Sequence, residues 1–182
     1  MYLAIGGAPS VTLDTGVLYN GQNTIRIDGN DPSNSARECD GPYISVKPGD
    51  HIVYSVWMKT NSSTTGQNGA ANAGARIGID FYGANGAISG TSSPDGAPAY
   101  TQAGGWATGT TYVKWNTSTW TLTKIDFVVK SQYEYSSNVV NNPNYSNGQL
   151  AVPTAIIPWM QVQPANDGGK GWFANPVLYI NP

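Results

Sequence analysis

Three stretches of the chain alternate apolar and polar residues with a period of two. In 52–59, Ile52, Tyr54, Val56 and Met58 fall on one side, with Val53, Ser55, Trp57 and Lys59 on the other. In 75–82, Ala75, Ile77, Ile79 and Phe81 oppose Arg76, Gly78, Asp80 and Tyr82. In 155–163, Ile156, Pro158, Met160 and Val162 oppose Ile157, Trp159, Gln161 and Gln163. Each stretch predicts a strand with one face on a core and one face that mixes an aromatic ring with hydrogen-bonding groups. Further strands are expected at 24–28, 43–46, 111–115, 119–123, 124–130 and 176–180, with a weaker one at 11–13. No segment repeats apolar positions with helical spacing, because Gly, Pro and β-branched residues interrupt every candidate. Many short strands without helices predict an all-β fold, a jelly-roll β-sandwich of two antiparallel sheets.

The turn Lys47-Pro48-Gly49-Asp50 joins two of these strands. Pro48 presets φ at its first central position and Gly49 supplies positive φ at the second, as a type II turn requires. Three connections are long: 61–74, small and polar; 83–109, with Tyr100 and Trp106 embedded; and 131–150, with three tyrosines. Loops of that length in a compact domain are usually functional or disordered, and aromatic residues favour the former.

The 182 residues fit a single domain spanning 1–182. Charged residues make up 11% and the net charge is −2, so the chain lacks the basic face that tracks phosphates, and nucleic acid is not an expected partner. No apolar run is long enough to span a membrane, and none is expected as a partner. The N-terminus lacks the basic and apolar regions of a signal peptide. The lone Cys39 allows no intrachain disulfide. Six Trp and eleven Tyr against three Phe suit a recognition surface as well as a core.

Catalytic chemistry is thinly provided. His51 is the only histidine and reads as an exposed residue at a strand start. Of the carboxylates, only Asp80 and Asp126 lie on predicted strands where a glycosidase-like pair could form, and ordinary hydrogen-bonding roles explain both. The polar-aromatic faces say more. Sugars present flat C–H faces, on which rings stack, and hydroxyl rims, which Arg, Gln and Asp bind. Trp57, Lys59, Arg76, Asp80, Tyr82, Trp159, Gln161 and Gln163 are therefore candidate ligand-binding residues, joined by Trp106 from its loop. Trp57 and Trp159 could equally be core, and a bulge at Pro158 would reverse the parity of Trp159. Arg76 and Asp80 could pair with each other or with neighbouring strands. Trp115, Trp120 and Trp172 read as core or sheet-edge packing.

Several motifs carry a resemblance. VKPGDHIVYSVWMKT resembles the PGD-x-Y-x-x-S-x-W-x-K strand pair of family-4-type carbohydrate-binding modules and their 4/9/22-like relatives. ARIGIDFYGANGAISG is similar to their next strand and Asn-Gly turn, and GWFANPVLYI to their closing strand. The resemblance implies a non-catalytic module whose concave sheet is the binding face for a β-linked polysaccharide such as β-glucan, xylan or mannan. It also implies an extracellular setting, within a larger multidomain protein, beside a glycoside hydrolase or on a surface protein. Arg76, Asp80, Tyr82, Trp159, Gln161 and Gln163 match the family's binding strands. Ala174 stands where the family has an acidic residue that helps hold structural calcium. No cofactor is required; were calcium held, Asp14, Asp28 and Asn175 are the candidate oxygen ligands. The alternative is a structural or adhesive jelly-roll domain of a surface-layer, fibre or virion protein, and a small glycosidase or lyase comes third.

Overall fold

A computed structural model of the protein describes residues 3–5, 11–29, 37–61, 74–88, 112–113, 115–134, 149–162 and 168–182. Fourteen strands run through them: β1 Leu3–Ile5, β2 Val11–Tyr19, β3 Gln22–Asp28, β4 Arg37–Asp40, β5 Ile44–Ser45, β6 His51–Thr60 and β7 Ala75–Gly83. They continue with β8 Gly86–Ala87, β9 Tyr112–Val113, β10 Thr121–Val128, β11 Tyr133–Glu134, β12 Leu150–Ala151, β13 Ala155–Val162 and β14 Lys170–Ile180. The described residues contain no helix, hence none long and apolar enough to cross a membrane.

Two antiparallel sheets face each other. One has five strands in the order β10-β6-β14-β3-β2. The other has seven, β1-β4-β13-β7-β8 with β5 beside β13 and β9 beside β7. The chain alternates between them: β3 to β4, β6 to β7, β9 to β10 and β13 to β14 each cross the sandwich, the jelly-roll pattern.

The core forms where the apolar faces meet. Ile52, Tyr54, Val56 and Met58 from β6, with Ile27 and Phe173, are buried against Ile77, Ile79, Phe81, Ile156, Met160 and Val162. Phe81 stacks on Tyr133 at 4.3 Å and takes the edge of Phe127 at 5.7 Å. The predicted parity of all three main strands is the observed one.

The Lys47–Asp50 turn forms as its residues require. Gly49 has φ of 91°, and the Asp50 amide donates to the Lys47 carbonyl at 3.1 Å. The Asp50 carboxylate accepts from the Lys47 amide at 2.9 Å and from the Asn181 side chain at 3.1 Å. These bonds hold its pKa below the ordinary value, the Asn181 amide most strongly.

Two expectations change. The strands foreseen at 119–123 and 124–130 are one, β10, paired continuously with β6 from Thr121 to Val128. Pro158 causes no bulge: β13 keeps unbroken register with β7 through Pro158↔Ile79. Pro158 lies where β13 exchanges β5 for β4 as its other neighbour, and its carbonyl accepts from the Gly41 amide at 2.7 Å. Register shifts lie instead in β14, between Ala174 and Val177, and in β2, between Asp14 and Tyr19.

Candidate functional site

The face of the seven-stranded sheet turned from the core is built chiefly by β7 and β13. Their register sets Gln161 opposite Arg76, Trp159 opposite Gly78, and Ile157 opposite Asp80. Alternation sends these side chains outward. Because Gly78 has no side chain, the indole of Trp159 lies down on its backbone; a Cβ there would come within 1.9 Å of the ring. In that position the indole N–H donates to the Asp80 carboxylate at 3.1 Å. The Arg76 guanidinium sits 5.5 Å from the ring centroid, and its Nε donates to the Gln161 carbonyl. Four predicted residues thus form two hydrogen-bonded cross-strand pairs. Arg76 and Asp80 each engage a partner across the strand.

Tyr82 ends the row. Tyr43, just before β5, meets its ring edge-on at 4.8 Å and is itself 65% exposed. Burial pushes the Tyr82 phenol well above its ordinary pKa, and Tyr43, Asp80 and Asp40 raise it further. The hydroxyl therefore stays protonated and able to donate throughout the neutral range. Sequence reasoning missed Tyr43. Its signal was parity, since Ser45 pairs with Ala155 on the outer row and Tyr43 lies two positions before it.

The middle of the row is closed down. Trp159 is 3% exposed, Arg76 5% and Gln161 1%. Trp159 lies on the expected face, but buried there rather than as an open platform.

Trp57 and Lys59, candidates alongside Trp159, do not share its face. β6 belongs to the five-stranded sheet, so both point outward from the opposite side of the sandwich. There Trp57 stacks on Tyr19 at 5.2 Å, and Lys59 lies between the Trp120 and Trp172 rings, 5.2 and 5.6 Å from their centroids. Trp115 joins the core. Trp106 and Gln163 lie outside the described residues.

Two of the candidate calcium ligands are engaged by a guanidinium. Asp14 and Asp28 both engage Arg26, at 3.4 and 3.0 Å. Asp14 also accepts from the Trp172 indole at 2.9 Å and from the Gly16 and Val17 amides. These bonds, that of Trp172 foremost, draw its pKa down to about 2. Asn175 sits in the β14 irregularity, with φ of 47°. Among the described residues no three His, Cys, Asp or Glu gather as a metal site would. His51 opens β6 with its side chain 42% exposed, as expected, and its Nε2 lies 2.7 Å from Asp126. Asp80 and Asp126 sit on different sheets, so the carboxylate pair considered from the sequence does not form.

No protein-family model matches the sequence, and no curated protein matches it. Solved structures do. A putative sugar-binding protein from Bacteroides thetaiotaomicron aligns over 98% of this chain and 86% of its own, at 12% identity and a TM-score of 0.53. A family 16 carbohydrate-binding module aligns over 97% of this chain and 89% of its own, at 8% identity and a TM-score of 0.50. The fold is the β-sandwich that carbohydrate-binding modules use. At such identities the likeness concerns the backbone, and the side chains must argue for the ligand.

Proposed function

We propose that this chain is a non-catalytic carbohydrate-binding domain that takes a β-linked polysaccharide, such as β-glucan, xylan or mannan, across the outer face of the seven-stranded sheet. One juxtaposition carries the reading: the Arg76–Gln161 and Trp159–Asp80 pairs lie side by side on adjacent strands and end in the Tyr43–Tyr82 rings. At the open end of the row the half-buried Asp80 carboxylate and the two phenols offer donors and acceptors to sugar hydroxyls, with Arg76 and Gln161 buried behind them. The exposed Tyr43 ring offers a stacking surface, while Trp159 holds Asp80 and backs Arg76. Trp106 and Gln163 remain candidates for the same groove. The neighbours named as sugar-binding support the ligand class. In this reading residues 1–182 form one extracellular domain of a larger protein, attached to a glycoside hydrolase or a surface protein, with neither nucleic acid nor membrane as partner.

Electrophoresis through gels containing β-glucan, xylan or mannan tests the proposal. Retardation in at least one gel, with an affinity of about 10⁻³ to 10⁻⁶ M, is expected; unaltered mobility in all of them refutes it.

One observation favours a second reading, a structural or adhesive domain. The burial of Trp159, Arg76 and Gln161 is what a face closed for scaffolding would display. Concentration-dependent self-association in analytical ultracentrifugation, together with no retardation in any gel, would select that reading.

A further inference from the structure

The five-stranded sheet carries an aromatic cluster that the proposed function does not use. Tyr19 stacks on Trp57 with an interplanar angle of 29° and takes Trp120 edge-on at 71°, both at 5.2 Å. At the end of this cluster opens a pocket of about 370 Å³, lined by Tyr19, Asn20, Gln22, Asn23, Ala174 and Asn175. That volume falls within the range of about 300–1,000 Å³ typical of ligand pockets.

Two local irregularities make the pocket. Asn20 and Gly21, with φ of 48° and 76°, form the two-residue turn between β2 and β3. Asn175, with φ of 47°, sits in the β14 irregularity. Asparagine tolerates this left-handed backbone better than most residues, so both positions present a carboxamide where the chain bends. Ala174 pairs with Trp57 in register and keeps that position small. Tyr19 forms the aromatic wall, and its two ring neighbours fix its orientation before any ligand arrives.

The lining selects a ligand class. Four of its six residues carry carboxamides and none is charged. A carboxamide both donates and accepts, as a sugar hydroxyl does. A calcium ion wants six to eight oxygen ligands that usually include carboxylates, and an anion wants cationic donors. We infer that this pocket is a second sugar site, which takes one neutral pyranose ring against Tyr19 with its hydroxyls on Asn20, Gln22, Asn23 and Asn175. It shares the ligand class of the proposed function but none of its residues. Two sites on opposite outer faces would let one domain bridge two glycan strands.

The test is a titration of the ¹⁵N-labelled chain with cellohexaose, xylohexaose and mannohexaose, following amide shifts at both faces. Saturable shifts at 19–23 and 174–175 are expected, and they should persist in Tyr82→Ala, which disables the first face only. Asn20→Gly/Asn175→Gly removes two amides at positions whose backbone glycine adopts freely. It should weaken those shifts about tenfold while leaving 76–82 and 157–161 unaffected. Shifts confined to the seven-stranded face would overturn the second site and leave the proposed function standing; none at either face would overturn both. Saturation of the same pocket amides by calcium chloride, with no response to sugar, would make it a cation site and also overturn the inference.

Discussion

Gly78 is the residue on which the outer face of the seven-stranded sheet depends. Any side chain there would occupy the space of the Trp159 ring. Gly78→Ala should therefore displace the indole, break its bond to Asp80 and lower stability by about 1–3 kcal/mol in urea unfolding, with a change in tryptophan fluorescence. An unchanged midpoint and spectrum would mean the ring does not lie there. Trp159→Ala should destabilise by about 3–5 kcal/mol, the range for a buried aromatic, so its loss of binding alone would not identify a ligand contact. Asp14 makes a prediction in pH. Its folded pKa of about 2 lies below the ordinary carboxylate value of about 4. Its contribution is therefore complete above pH 4 and lost as pH falls toward 2. Asp14→Asn should unfold more easily than wild type at pH 7, and the gap should narrow in urea melts taken at pH 4, 3 and 2. A gap that stays constant would contradict this.

At the scale of the element, strand faces were legible and strand neighbours were not. Period-two patterning fixes which side of β6, β7 or β13 is apolar, because a one-residue slip would turn the whole apolar set to solvent. It carries nothing about sheet membership, which is why Trp57 and Lys59 were grouped with Trp159 although β6 and β13 lie in opposite sheets. The β2–β3 hairpin was under-read for another reason. Val11–Tyr19 has a mixed, half-exposed pattern, and the signal lay in the turn, where Asn20-Gly21 is a strong hairpin dipeptide. Recognising it would have brought Tyr19 into view. Gly21→Ala should cost about 1 kcal/mol by forcing a side chain into left-handed backbone, read as a lower urea midpoint with an unchanged slope. No loss would argue against that turn geometry.

At the scale of the molecule, the sandwich turns its apolar faces inward and leaves two chemically different outer faces. One is a row of hydrogen-bonded pairs along β7 and β13. The other is an aromatic cluster over β6, β14 and the β2–β3 hairpin. The fold class was legible because nothing in the sequence competes with strands. The ion pair of Asp14 with Arg26 was not, since it arises only from the pairing of β2 with β3. The central claim is that the first face binds glycan. Calorimetry with β-glucan, xylan and mannan oligosaccharides, on wild type and on Tyr43→Ala/Tyr82→Ala with equal attention to melting temperature, tests it most directly. The prediction is measurable heat for wild type with at least one sugar, weakened by about 2 kcal/mol or more in the double variant, while the variant stays folded. Equal affinity in both proteins, or no heat from wild type with any sugar, would contradict it.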